Sequence, residues 1–247
     1  MKTLKLSCEY KTEKIPVAYS MMFVSLIKES LKESDEEYFR SLYMYEDTKK
    51  NKKTKDFCFS LYLKDFIKEE DIFIIKDKII FNISSPNYEF MIKLYNGLLN
   101  IKNFQYKNFF INKVKINLIN DKEIKNEQPV FNTLSPICVK DKENKYLNID
   151  DCNFNKELNY ITNKTLENFR GYGLLEELKF YPIKMRKKVV KEDITSFREN
   201  TKKQYYYINS YAGIFKLEGN IKDLKDIYRL GLGFHRNQGF GMIEVID

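Results

Sequence analysis

Gly231-Leu-Gly-Phe-His-Arg-Asn-Gln-Gly-Phe-Gly241 stands between a helical stretch, Ile221–Arg229, and a last apolar strand, Met242–Ile246. Four of the nine glycines in the chain fall inside these eleven residues, beside an Arg, an Asn, a Gln and the only His. Glycine admits φ > 0 and lacks the Cβ that keeps another backbone at a distance. Such a loop either makes a tight helix-to-strand connection or cradles phosphates through successive backbone N–H groups. The helix, loop and strand together read as the closing unit of a β-α-β-β-α-β segment.

The same pattern can be followed through the whole of the 247 residues. Residues 2–10 alternate as a strand, with Leu4, Leu6 and Cys8 on one face. A helix opens after Pro16, and Met21, Met22, Val24, Leu26, Ile27 and Leu31 recur along it with helical spacing. A short second helix is expected over 35–45, and then a solvated apolar-free loop, Asp47–Lys55. Strands follow at 57–63 and at 71–83, the latter interrupted near Lys76–Lys78. A helix from Pro86 to Leu98 and a strand over 104–119 complete the first unit. After a polar connection at 120–128 the pattern repeats, with a strand at 129–140 and a helix at 153–169. Strands at 176–186 and 204–217 lead to the closing unit. The expectation is an α+β protein of two tandem ferredoxin-like domains, 1–122 and 129–247.

Lys and Arg number 43 against 35 Asp and Glu, a net charge of +8 that favours an anionic partner such as nucleic acid. The cluster Lys184-Met-Arg-Lys-Lys-Val-Val-Lys191 places five cations in eight residues, at the end of a strand and in the turn beyond it. It reads as a phosphate-binding patch or a solvated hairpin tip. Lys184, Arg186, Lys187 and Lys188 are the phosphate contacts expected there. In the glycine loop the expected RNA contacts are Gly231, Gly233, Arg236, Asn237, Gln238, Gly239 and Gly241. Cys8, Cys58, Cys138 and Cys152 have no C-x-x-C spacing, and one His cannot complete a Cys/His zinc set, so they read as buried reduced thiols. No metal and no cofactor is expected. No apolar run approaches the ~20 residues of a membrane helix, and a soluble cytoplasmic protein is the expectation.

The sequence resembles the CRISPR-associated repeat-processing endoribonucleases, the sixth Cas family. The residues that carry the resemblance are Gly213-Ile-Phe-Lys-Leu-Glu-Gly219, the following helix and the Gly231–Gly241 loop. Phe57-Cys-Phe-Ser60, Gly97 and Leu134-Ser-Pro136 match in the same order. The resemblance implies metal-independent cleavage of precursor CRISPR RNA within the repeat. A 2′-hydroxyl attacks the adjacent phosphorus, leaving a 2′,3′-cyclic phosphate and a 5′-hydroxyl. It also implies site residues: Lys28 at the functional position of the first helix, and Lys55 as the lysine before the F-x-F-S strand. The family's usual histidine would fall near Leu42–Tyr45, where this chain has none. Tyr43 is the best match for it, with Tyr45 close by. Slow turnover with tight product binding is expected from such a site.

His235 reads either as a catalytic substitute or as an RNA-contacting or exposed loop residue. CRISPR repeat RNA is the expected partner, with other Cas proteins of an interference complex and a second copy of the chain as further candidates. Two alternatives share the fold: a catalytically inactive repeat-binding subunit, and a structural Cas protein holding the crRNA end.

Overall fold

The structure, a computed structural model, describes residues 4–45, 49–50, 54–193, 195–202 and 204–246. The first half opens with β1 (Leu4–Lys11) and the short β2 (Lys14–Pro16), followed by α1 (Ser20–Ser34) and α2 (Glu36–Tyr43). The two-residue strands β3 (Met44–Tyr45) and β4 (Lys49–Lys50) pair with each other, so part of the expected loop is a small ribbon. Then come β5 (Cys58–Glu69), β6 (Ile72–Ser84), α3 (Tyr88–Asn100), β7 (Asn103–Tyr106) and β8 (Phe109–Asn120). The ferredoxin-like strands pair antiparallel in the order β5-β6-β1-β8, with β2 and β7 as short additions.

The periodicity of β1 explains its place. Leu6, Cys8 and Tyr10 turn into the core, where Phe23, Leu26 and Ile27 of α1 and Phe90 and Leu94 of α3 cover them. Asn87 caps α3, its side-chain oxygen accepting the Phe90 N–H at 3.0 Å. Two expectations are corrected here. β6 runs unbroken through Lys76–Lys78, and the irregularity lies instead between Lys64 and Phe66 of β5, where Asp65 takes a φ of 55°. Residues 104–119 are a hairpin, turned at Lys107 with a φ of 53°.

The second half comprises β9 (Val130–Thr133), α4 (Phe154–Arg170), β10 (Lys179–Glu192), α5 (Thr195–Thr201), β11 (Tyr206–Glu218), α6 (Ile221–Leu230) and β12 (Ile243–Val245). Its sheet order, β10-β11-β9-β12, is again ferredoxin-like. Phe131, Phe215 and Leu217 on the sheet meet Phe154, Leu158, Leu224 and Ile227 on the helices. The chain is therefore an α+β protein of tandem ferredoxin-like folds. The strand expected over 129–140 is shorter, because beyond Thr133 the backbone of 134–136 binds Met242 and Gly241 instead. The basic cluster is also moved: Lys184–Lys188 lies in the middle of β10, paired with β11, and not in a turn. Cys8, Cys58 and Cys138 are buried as expected, whereas Cys152 is exposed. Among the described residues no helix is long and apolar enough to cross a membrane.

The halves meet through polar as well as apolar contacts. Lys5 of β1, buried, donates to the Tyr228 hydroxyl at 2.6 Å and to Glu244 at 2.8 Å. Tyr228 in turn donates to the other Glu244 oxygen at 2.7 Å. Arg229 pairs with Asp121 at 3.0 Å, and Lys191 with Asp71 at 2.5 Å. Removing one member of the Lys5–Tyr228–Glu244 set would cost each of the other two one of its hydrogen bonds at this junction.

Within the first half, α1 and α3 cross at Gly97. A Cβ built there would lie 1.7 Å from the Ser30 carbonyl oxygen. No rotamer change relieves a clash between two backbones, so Gly97→Ala is expected to destabilise by about 3 kcal/mol, despite alanine's better helix propensity. Thermal unfolding should show a midpoint roughly 6–12 °C lower. An unchanged midpoint would mean that the helices cross less closely.

Candidate functional site

Three of the residues singled out in the sequence come together in the first half. Lys28 projects from α1 beside its buried stripe, and Tyr43 is the last residue of α2. Asp35 ends α1 and caps α2, accepting the Tyr38 N–H at 2.9 Å, so the two helices meet at a fixed angle. Lys93 of α3 secures Asp35 at 2.7 Å. Tyr43 consequently leans back towards α1, its ring 5.3 Å from that of Phe39 one turn earlier and tilted at 32° to it. The Lys28 ammonium lies 5.0 Å and the Lys55 ammonium 5.5 Å from the Tyr43 ring centroid. Both distances are within cation–π range.

Burial pushes the Tyr43 phenol well above its ordinary pKa, with the Tyr38 hydroxyl adding to the shift. Tyr43 therefore stays protonated across the physiological range and acts as a hydrogen-bond donor. The neighbouring Tyr38 is raised to about 12, chiefly by burial and then by Glu89. Lys55, only 4% exposed, sits in the extended segment before β5. Asp56 beside it is raised by burial, against the lowering effects of Asn168, Arg236 and Lys55. The Tyr45 side chain lies outside the described residues.

The glycine loop is built for contact with protein. A Cβ at Gly231 would lie 2.8 Å from the Cβ of Cys58, and one at Gly239 would lie 3.0 Å from the Phe59 ring. Cys58 donates its thiol to the Arg229 carbonyl at 3.6 Å, and Ser135 donates to the Phe59 carbonyl at 3.1 Å. At Gly233 and Gly241 a side chain would strike the carbonyls of Cys138 and Leu232. Gly231, Gly233 and Gly241 are all buried.

These three glycines are expected to touch RNA phosphates; their close neighbours in the structure are the protein's own backbone and side chains. Arg236, expected to hold a phosphate, also turns to an internal partner. It is 3% exposed and donates to the Leu230 carbonyl at 2.6 Å, and burial lowers its pKa to about 10. Gly239, Asn237 and Gln238 are half-buried.

His235 takes a left-handed φ of 58° and introduces a short 3₁₀ turn, Arg236–Gln238. Its Nδ1–H donates to Gln238 Oε1 at 2.7 Å, which leaves Nε2 to accept the Tyr146 hydroxyl at 3.1 Å. Both ring nitrogens are thus engaged. It is not an exposed loop residue: Tyr146 and Phe240 flank the ring at 6.2 and 5.9 Å. Lys184, Arg186, Lys187 and Lys188 are exposed along β10, and Lys187 reaches Asn148 at 3.4 Å. Met185 between them turns inward towards the helices, so Lys184, Arg186 and Lys188 share the opposite face of the sheet.

The family model described as CRISPR associated protein Cas6, C-terminal, matches residues 119–245. The chain belongs to the Cas6 family. It is 27% identical over 264 residues to the CRISPR-associated endoribonuclease Cas6 1 of Methanocaldococcus jannaschii, covering 99% of this chain and 94% of that protein. Among solved structures, a RAMP protein described as binding different RNA substrates superposes with a TM-score of 0.79 at 19% identity, covering 99% of this chain and all of the other. A Cas6-related protein from Pyrococcus furiosus gives 0.77 at 21% identity, with 99% of each chain covered. At these identities the structures establish the fold alone.

Two residues of this Cas6 chain that sequence reasoning missed also touch the site, Asp56 and Asn168. Asn168 lies in α4, 114 positions from the segment it contacts, and nothing in its local sequence distinguishes it from any other helix-surface amide. The lone histidine makes one prediction clean to test. Burial lowers the His235 pKa from 6.5 to about 4, and Lys140 adds to the effect. A depressed pKa contributes stability that is present above pH 6.5 and is lost as the pH falls through about 4. A proton NMR titration should place the single imidazole midpoint near 4. A midpoint near 6.5 would show that the ring is free in solution.

Proposed function

We propose that this Cas6 family member is a metal-independent endoribonuclease that cuts CRISPR repeat RNA beside Lys28, Tyr43 and Lys55. The 2′-hydroxyl before the scissile bond attacks the adjacent phosphorus and expels the 5′-oxygen of the next nucleotide. The products are a 2′,3′-cyclic phosphate and a 5′-hydroxyl. The observation that carries this reading is the convergence of two ammonium groups on one half-buried, protonated phenol.

The division of labour follows from the chemistry of the groups. Negative charge accumulates on the equatorial oxygens of the phosphorane, and Lys28 and Lys55 offset it without a metal ion. Tyr43, held protonated, donates a hydrogen bond to the leaving oxygen or to a phosphorane oxygen. A phenol of such high pKa is a reluctant acid, so the rate derives mainly from in-line alignment and charge stabilisation. Turnover is accordingly slow, and the product stays bound. The exposed face of Lys184, Arg186 and Lys188 holds the RNA backbone, in a chain organised as domains 1–122 and 129–247.

Single-turnover cleavage of repeat RNA in EDTA tests the reading. The upstream fragment should carry a cyclic phosphate, and the downstream fragment a 5′-hydroxyl that polynucleotide kinase labels directly. Lys28→Ala and Lys55→Ala should each slow cleavage by about a hundredfold while changing the Kd by less than about threefold. Joint replacement of Lys184, Arg186 and Lys188 by Ala should weaken binding and lower its salt slope by about 2. Tight binding with the RNA left intact would mean a repeat-binding subunit and not an enzyme.

A further inference from the structure

The Lys55 segment is held from both sides by contacts unrelated to its own strand. Asn168, on the exposed face of α4 in the second half, donates from its one amide nitrogen to two acceptors. These are the Thr54 carbonyl and the Asp56 carboxylate, each at 3.2 Å. The two acceptors bracket Lys55 in sequence. On the other side, Ser85 donates its hydroxyl to the Asp56 carbonyl at 2.5 Å and accepts the Asn87 N–H at the start of α3. The backbone on either side of Lys55 is thus fixed, once by each half of the protein. The segment needs this support, since residues 54–57 precede β5 and take part in no strand ladder.

We propose that Asn168 is a positioning residue: by holding Thr54 and Asp56 it sets where the Lys55 ammonium stands beside Tyr43. This rests on the reading of Lys55 as part of the cleavage site. It makes the second half a contributor to the geometry of chemistry that occurs on the first. A long lysine side chain rooted in a displaced segment carries its ammonium with the backbone. Displacement of a charge-stabilising group by about an ångström is enough to cost an order of magnitude or more in rate. Asn168 touches neither the Tyr43 ring nor either ammonium in the contacts above, so its effect passes through Lys55.

Asn168→Ala removes both hydrogen bonds from an exposed helix position that tolerates alanine. Asn168→Asp removes the donors and sets a second carboxylate against Asp56. Single-turnover cleavage of the repeat RNA in EDTA, its Kd and the thermal midpoint are measured for both variants, and for each change combined with Lys55→Ala. The expected result is a roughly tenfold slower cleavage for Asn168→Ala and a larger loss for Asn168→Asp. The Kd should remain within about twofold, and the midpoint within a few degrees. In the Lys55→Ala background, Asn168→Ala should cost less than about twofold more, because the two act as one unit.

Full cleavage by both Asn168 variants, while Lys55→Ala is slow, would overturn the positioning role and leave the site reading intact. A parallel loss of RNA affinity would also overturn it, making Asn168 an RNA contact. Full cleavage by Lys55→Ala would instead remove the site reading on which the inference rests.

Discussion

The architecture depends on one close approach. At Gly231 and Gly239 the backbone of the glycine loop comes against Cys58 and Phe59 of β5, where a Cβ would lie 2.8 Å from the Cys58 Cβ and 3.0 Å from the Phe59 ring. The loop closes the second ferredoxin-like fold, whereas β5 begins just after Lys55. A side chain at either glycine would press on these β5 residues and would take up a positive φ that only glycine adopts readily. The glycine spacing, which from sequence alone also suits a phosphate cradle, serves here to let two pieces of one chain touch.

Electrostatics divides the polar residues into two groups. Arg236 and His235, the most conspicuous side chains of the loop, are committed to internal partners: the Leu230 carbonyl for one, Gln238 and Tyr146 for the other. Burial shifts both towards their neutral forms. The exposed cations lie elsewhere, along β10, while beside Tyr43 Lys28 is half-buried and Lys55 buried. Their local environments suit different tasks. On an open strand they face solvent, as the proposed grip on phosphates requires, while beside the half-buried Tyr43 ring they are held for the proposed action on a single one.

Much of this was legible in the sequence, and for identifiable reasons. Alternation in β1 and helical spacing in α1 report directly which side of each element faces the core, and the repeated order of elements yields the tandem fold. The clustering of Lys28 and Lys55 on Tyr43 was suggested by family resemblance, and the structure brings these three together. Local patterns say nothing about contacts across long separations. The burial of Arg236 and the reach of Asn168 depend on how the halves dock, and the engagement of His235 on how Tyr146 packs against the loop. The charge run Arg186–Lys188 imitates a strand end in sequence, yet it lies within β10, which continues to Glu192 paired with β11.

The central claim is that the chemistry belongs to the first half and that the loop is a contact between the halves. Its most direct test is single-turnover cleavage of repeat RNA in EDTA by Tyr43→Phe and His235→Ala, each compared with the unaltered chain. The account predicts a large rate loss for Tyr43→Phe with binding retained, and cleavage by His235→Ala within a few-fold of normal. Loss of cleavage confined to His235→Ala, with binding and folding intact, would contradict it and place the reaction at the glycine loop.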